Sequence, residues 1–198
     1  DAGAPPLVLT PGGRYPRDTA GVPELGRILA DAGYRVLLWD RPGCGASDIA
    51  FTAPSESVMN AEALVGIVRE LGLKDVILTG GSAGSRITLM AAARMPDNVR
   101  KLSIWWISGG PVGLAGLAWY YCGDQIAAAS IGGMEKVAEL PSWAGLIARN
   151  PRVRDILLAQ DADTYIETMQ KWGKAFAYSD ETPVPGMASC SVLAKVSI

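Results

Sequence analysis

Along the first half of the chain, short solid runs of apolar side chains alternate with longer stretches in which apolar residues return every three or four positions. Leu7-Val8-Leu9-Thr10 is such a run and stops at Pro11-Gly12-Gly13, the pattern of a buried strand that ends in a tight loop. From Glu24 to Ala32 the residues Leu25, Ile28 and Leu29 fall at helical spacing, with Gly33 as the stop. Arg35-Val36-Leu37-Leu38-Trp39 predicts a second strand, broken by the turn formers of Asp40-Arg41-Pro42-Gly43-Cys44-Gly45-Ala46-Ser47-Asp48. Beyond Pro54 and Ser55, Ala61, Leu64, Val65 and Val68 share one helical face, and Gly72 lies just past its end. Val76-Ile77-Leu78-Thr79 predicts a third strand and Ala83 to Arg94 a third helix. Leu102-Ser103-Ile104-Trp105-Trp106-Ile107 predicts a fourth strand, ending at Ser108-Gly109-Gly110. Strands that are apolar throughout, with helices between them, predict an α/β fold: a mostly parallel sheet covered by helices on both faces.

After Gly110 the rhythm changes. Residues 111–182 read as helical throughout, with Trp119, Tyr120, Tyr121, Trp143, Tyr165, Met169 and Trp172 among small residues and Pro141 and Pro151 as breaks. An all-helical insert after the Ser108–Gly110 strand end is expected to lie as a cap over the ends of the sheet, where ligands of open α/β sheets bind. Its aromatics are equally explained as the insert's own core. Residues 183–198 return to turn formers and then Leu193-Ala194-Lys195-Val196-Ser197-Ile198, the approach to another strand. The division is therefore 1–110 for the α/β core, 111–182 for the helical cap, and 183–198 for the return to the core.

Composition narrows the function. With 49% hydrophobic residues the 198-residue chain can bury a substantial core. A net charge of -2, from 18 Lys and Arg against 20 Asp and Glu, builds no basic field for nucleic acid or anionic lipid. No apolar stretch approaches the roughly 20 residues of a bilayer span, and the N-terminus lacks the pattern of a signal peptide. These features point to the cytoplasm, with a small-molecule substrate and neither nucleic acid nor membrane as partner. Cys44, Cys122 and Cys190 are widely spaced, form no CxxC pair and meet no histidine, since the chain has none; no metal and no cofactor is expected.

The chemistry sits in Gly80-Gly81-Ser82-Ala83-Gly84, a G-x-S-x-G between a strand and a helix. A serine on so sharp a turn takes a strained backbone, and only small residues two before and two after it let strand and helix approach. The turn exposes the Ser82 hydroxyl at the carboxyl end of the sheet and sets the Ala83 N–H beside it to receive a developing oxyanion. A second donor is expected from another loop at that edge, and Gly13 in Pro11-Gly12-Gly13-Arg14 is the candidate, because Pro11 has no N–H. The alternative, a plain glycine-rich turn or a phosphate cradle, lacks both the G-x-G-x-x-G spacing and a following lysine.

Leu7-Val8-Leu9-Thr10-Pro11-Gly12-Gly13, the Asp40–Asp48 loop and Gly80-Gly81-Ser82-Ala83-Gly84, in that order and spacing, resemble the α/β-hydrolase superfamily. The resemblance covers roughly the first 110 residues. It implies that the first loop gives an oxyanion donor, usually within His-Gly, with Pro11 here in the place of the histidine. It implies a structural role for the second loop, matched at Asp40, Gly43, Gly45 and Ser47, so neither Asp40 nor Asp48 is nominated as catalytic acid. It also implies that acid and histidine follow later strands, outside these residues, so that the chain is expected to be the interior of a longer protein and inactive alone.

The function expected is that of a serine hydrolase acting on small, largely apolar esters or activated C–C bonds through an acyl-Ser82 intermediate. Proline iminopeptidases are the enzymatic alternative, and would need an acidic subsite in the cap, for which Glu135, Glu139 and Asp161 to Asp163 are present but equally explained as a solvated surface. Serine at position 82 speaks against haloalkane dehalogenases and epoxide hydrolases, which use aspartate, and leaves cofactor-free haloperoxidases open. A non-catalytic ligand-binding member of the fold is the alternative from another class. Arg14 is placed to neutralise a substrate carboxylate or to cap its loop, and Arg86 reads as structural. A homo-oligomer or a complementing C-terminal fragment is compatible with the sequence.

Overall fold

The structure is a computed structural model that describes residues 3–106 and 111–177. Its contacts divide the chain into two compact units. Among the described residues, one comprises 3–41 and 60–106; the other comprises 42–59 and 111–177.

The first unit is built on four parallel strands, β1 (Pro6–Thr10), β2 (Arg35–Leu38), β3 (Val76–Gly81) and β4 (Val99–Trp105), in the order β2-β1-β3-β4. Three helices, α1 (Val22–Asp31), α2 (Glu56–Glu70, from Asn60 onward in this unit) and α3 (Ala83–Arg94), connect them, so the expected parallel sheet is present. The period of two along each strand assigns the faces. Leu7, Leu9 and Ile77 point to one side and pack with Val22, Leu25 and Leu29 of α1. Val8, Val76 and Leu78 point to the other, against Ala61, Leu64, Val65 and Val68 of α2 and Ile87 and Ala91 of α3. The four α2 residues singled out by their spacing are all buried.

The fourth strand departs from the pattern expected for it. It begins at Val99 and, with Ile107 outside the described residues, is described to Trp105; Arg100, Lys101, Ser103 and Trp105 are exposed. Among the described residues β4 has β3 as its only neighbour, and a register shift between Val76 and Ile77 puts an extra residue into its pairing. A terminal strand covered on one face tolerates charge that an interior strand cannot. The chain leaves it through Trp106 in the left-handed region, φ 47°, with 80% of its surface exposed.

The second unit is helical: α4 (Pro111–Ala118), a π-helical turn (Trp119–Gly123), α5 (Asp124–Ala138), α6 (Pro141–Arg149), α7 (Arg152–Leu158) and α8 (Ala162–Ala177). Prolines open α6 and precede α7, where the missing N–H costs nothing. Trp143, Tyr165, Met169 and Trp172 lie in the unit's own core with Val137 and Leu157, whereas Trp119 and Tyr120 are exposed. Segment 42–59, which the sequence pattern assigns to the first unit, packs here: Phe51 meets Tyr165 edge-on at 5.1 Å, and Trp172 Nε1 donates to the Ala53 carbonyl at 2.9 Å. Asp48 joins it to Asn150 at 2.8 Å and to Arg152 at 2.9 Å. The expected strand approach at 193–198 and the Ser108–Gly110 insertion point lie outside the described residues.

Two outcomes test this arrangement. A Cβ at Gly84 would overlap the Thr10 and Pro11 carbonyls, so Gly84→Ala separates α3 from β1; a loss of about 3 kcal/mol is expected, read as a lower urea midpoint. Asp161 opens α8 by accepting from the Thr164 N–H at 2.9 Å and hydroxyl at 2.8 Å, and these bonds hold its carboxyl below the usual range. A depressed folded pKa stabilises above the unfolded pKa and is lost as pH falls through the folded one. Asp161→Ala therefore lowers Tm at neutral pH, with the deficit shrinking in acid below that pKa.

Candidate functional site

Ser82 is the residue at which β3 becomes α3, and its backbone is forced to φ 54°, ψ -121°. A non-glycine residue rarely occupies that region, at a cost of about 1–3 kcal/mol, and does so only where its surroundings leave no choice. Here they do. The Ser82 N–H donates to the Trp105 carbonyl at 3.1 Å, and its own carbonyl accepts from the Ser85 N–H at 3.0 Å and the Ser85 hydroxyl at 2.5 Å. Below the turn, a Cβ on Gly80 would stand 2.7 Å from the Gly84 carbonyl carbon, so strand and helix meet where only hydrogen fits. Ser82 itself is half-buried, as is Ala83, the first residue of α3. The bend expected from G-x-S-x-G is therefore present.

The loop after β1 lies against this turn. A Cβ on Gly12 would come within 3.1 Å of the Ser82 Cβ and 3.0 Å of the Gly81 carbonyl oxygen. Gly13 follows at φ 49°, in a turn closed by the Tyr15 N–H donating to the Gly12 carbonyl at 3.3 Å. The structure thus brings Ser82, Ala83 and the Gly12–Gly13 loop to one edge of the sheet, all within the first unit. Arg14 is half-buried on the same loop, and Arg86 is half-buried on α3.

Three residues at the end of β2 hold that loop. Trp39 Nε1 donates to the Thr10 hydroxyl at 3.1 Å; Asp40 accepts from the Arg17 N–H at 2.7 Å; Arg41 donates to the carbonyls of Gly12, at 3.1 Å, and of Gly13. Asp40, not nominated as an acid, is thereby engaged in holding the chain. Arg41 and Trp105 are the residues that sequence reasoning passed over. The signal for Arg41 was an arginine beside turn-forming residues, indistinguishable in sequence from a solvated one; the role of Trp105 depends on its carbonyl and carries no sequence signal.

The remaining candidates are placed elsewhere. Glu135 pairs with Arg154 at 3.0 Å, Glu139 with Lys136 at 2.6 Å, and Asp161 caps α8; these carboxylates are engaged within the helical unit. A cleft of about 250 Å³ is lined by Leu7, Val36, Leu71 and Leu73 at the starts of the strands, the opposite end of the parallel sheet from Ser82. Among the described residues no cluster of three or more His, Cys, Asp or Glu could hold a metal ion, and no helix is long and apolar enough to cross a membrane. Cys44 and Cys122 are buried.

A parallel sheet whose central strand delivers a serine into a strained turn defines a hydrolase-type α/β fold. The model of the α/β hydrolase fold family matches residues 5–104, and the chain belongs to that family. It is 38% identical over 87 residues to a 2-hydroxy-6-oxononadienedioate/2-hydroxy-6-oxononatrienedioate hydrolase of Klebsiella pneumoniae, a match covering 44% of this chain and 30% of the relative. The hydrolase of the same name from Paraburkholderia phymatum is 40% identical over 74 residues, covering 37% of this chain and 26% of that one. The match thus spans less than a third of the length of these relatives. Among solved structures, the 2-hydroxy-6-oxo-6-phenylhexa-2,4-dienoate hydrolase of Rhodococcus superposes with a TM-score of 0.53 at 19% identity, over 88% of this chain and 66% of that one. An esterase from Exiguobacterium antarcticum gives 0.52 at 17% identity, over 85% and 66%. These two show likeness of fold.

Strain at position 82 has a direct test. Ser82→Gly and Ser82→Ala both remove the hydroxyl, but only glycine is at ease at φ 54°. Ser82→Gly is expected to be the more stable by on the order of 1–2 kcal/mol in urea unfolding; equal midpoints would mean an unstrained turn.

Proposed function

We propose that the protein is a serine hydrolase in which Ser82 is the nucleophile and the N–H groups of Ala83 and Gly13 receive the oxyanion. The observation that carries this reading is the strained turn at Ser82, with the Gly12–Gly13 loop packed against its Cβ. A helix N-terminus and a glycine loop on either side of a hydroxyl supply N–H donors where negative charge develops, without reorganisation at the moment of reaction. In the first half-reaction the Ser82 oxygen bonds to the substrate carbonyl carbon, its proton passes to a general base, and the leaving group departs with a proton. In the second, water attacks the acyl carbon, the acid product leaves, and the hydroxyl of Ser82 is restored. The 198 residues contain no histidine, so the base in this reading is a group outside them or a residue of another type.

The substrate class follows from the relatives, both named as hydrolases of 2-hydroxy-6-oxo dioates. Under this reading the protein cleaves a carbon–carbon bond activated by an adjacent ketone, or a small ester that reaches the same tetrahedral intermediate. The helical unit, with its own packed core, is assigned the part of the cap.

Treating the intact protein with a fluorophosphonate and mapping the adduct by mass spectrometry is the test. Modification at Ser82 that disappears in Ser82→Ala is expected; a protein that binds the probe without modification at Ser82 would be a ligand-binding member of the fold.

A further inference from the structure

We infer that Arg41 is a positioning residue for the oxyanion site: its guanidinium clamps the Gly12 and Gly13 carbonyls so that the loop's N–H groups are aimed away from it and polarised as donors. The inference rests on the reading of Ser82 as nucleophile.

Arg41 is 2% exposed, and its terminal nitrogen donates to two successive carbonyls, of Gly12 at 3.1 Å and of Gly13. Among the described residues its Nε has no hydrogen-bond partner. Burying a guanidinium this way is costly, since two neutral carbonyls replace its water and no carboxylate among the described residues neutralises it. Packing alone would be served better by an apolar side chain.

The geometry of the peptide gives the cost a use. No peptide bond among the described residues is cis, so each carbonyl points opposite to the N–H that follows it. Holding the Gly12 carbonyl toward Arg41 turns the Gly13 N–H the other way, and holding the Gly13 carbonyl does the same for the Arg14 N–H. A donor on a carbonyl also draws charge through the peptide, so its N–H becomes the stronger donor, more so when the hydrogen bond is charge-assisted. Gly12 meanwhile touches the Ser82 turn, which fixes the other end of the loop. Trp39 and Asp40, the two preceding residues, pin Thr10 and Arg17 on either side of the clamped glycines, so Arg41 acts on a segment whose ends are already held.

The test uses the intact protein, with fluorophosphonate labelling rates and steady-state hydrolysis of a p-nitrophenyl ester measured on wild type, Arg41→Met, Arg41→Gln and Arg41→Lys. Arg41→Met is expected to label Ser82 roughly ten- to a hundredfold more slowly and to lose kcat by the same factor with KM unchanged, since the lost interaction belongs to the transition state. Arg41→Lys, whose ammonium can bond both carbonyls as one nitrogen does here, is expected to recover about a third of the wild-type rate or more. If Arg41→Met does not fold, the comparison of Arg41→Gln with Arg41→Lys decides on the same criteria. Neutral variants that label as fast as wild type, or that raise KM with kcat intact, overturn the role of Arg41 while leaving Ser82 in place. Wild-type protein that fails to label at Ser82 removes the nucleophile reading itself.

Discussion

The main chain at Ser82 turns from strand to helix within one residue, and the rest of the first unit is arranged so that it can do nothing else. A serine at φ 54° would relax if either flank had room. Gly80 and Gly84 remove the room by letting β3 and α3 close to backbone contact, and the Trp105 carbonyl on β4 holds the Ser82 N–H. The strain of one residue is thus set against the packing of a four-stranded sheet, and that imbalance is why such a conformation persists. It also places Ser82 at the end of the sheet, where the loop after β1 packs against it.

That convergence follows from parallel strands. Because β1, β2 and β3 run the same way, the loops that follow them emerge at one edge. The end of β2 uses three consecutive residues, Trp39, Asp40 and Arg41, to tie down the loop after β1, and that loop in turn lies on Ser82. A chain of hydrogen bonds between neighbouring strand ends places polar groups of three loops in register without any of them being long or stiff. Family membership explains the scaffold; the chemistry proposed for Ser82 depends on these particular contacts.

The helical unit is held together differently. Its stability comes from a core of large side chains, with Trp143, Tyr165 and Trp172 almost wholly buried, and from a segment, 42–59, that contributes Ile49, Phe51 and Met59 to it. On its surface, Glu135 and Glu139 pair with neighbouring cations and Asp161 accepts from a helix N–H, which makes them ordinary elements of a solvated face.

By itself the sequence determined the order of strands and helices in the first unit, the apolar face of α2, the turn at Ser82 and the presence of the loop after β1. These are properties of short windows, where the period of side chains and the small size of glycine act on near neighbours. Tertiary structure decided the rest. The exposure of β4 depended on which strands pair with it, the membership of residues 42–59 on contacts with helices about a hundred residues later, and the role of Arg41 on two carbonyls brought to it across strand pairing. An arginine carries the same charge whether water or a peptide receives it, and only the fold selects which.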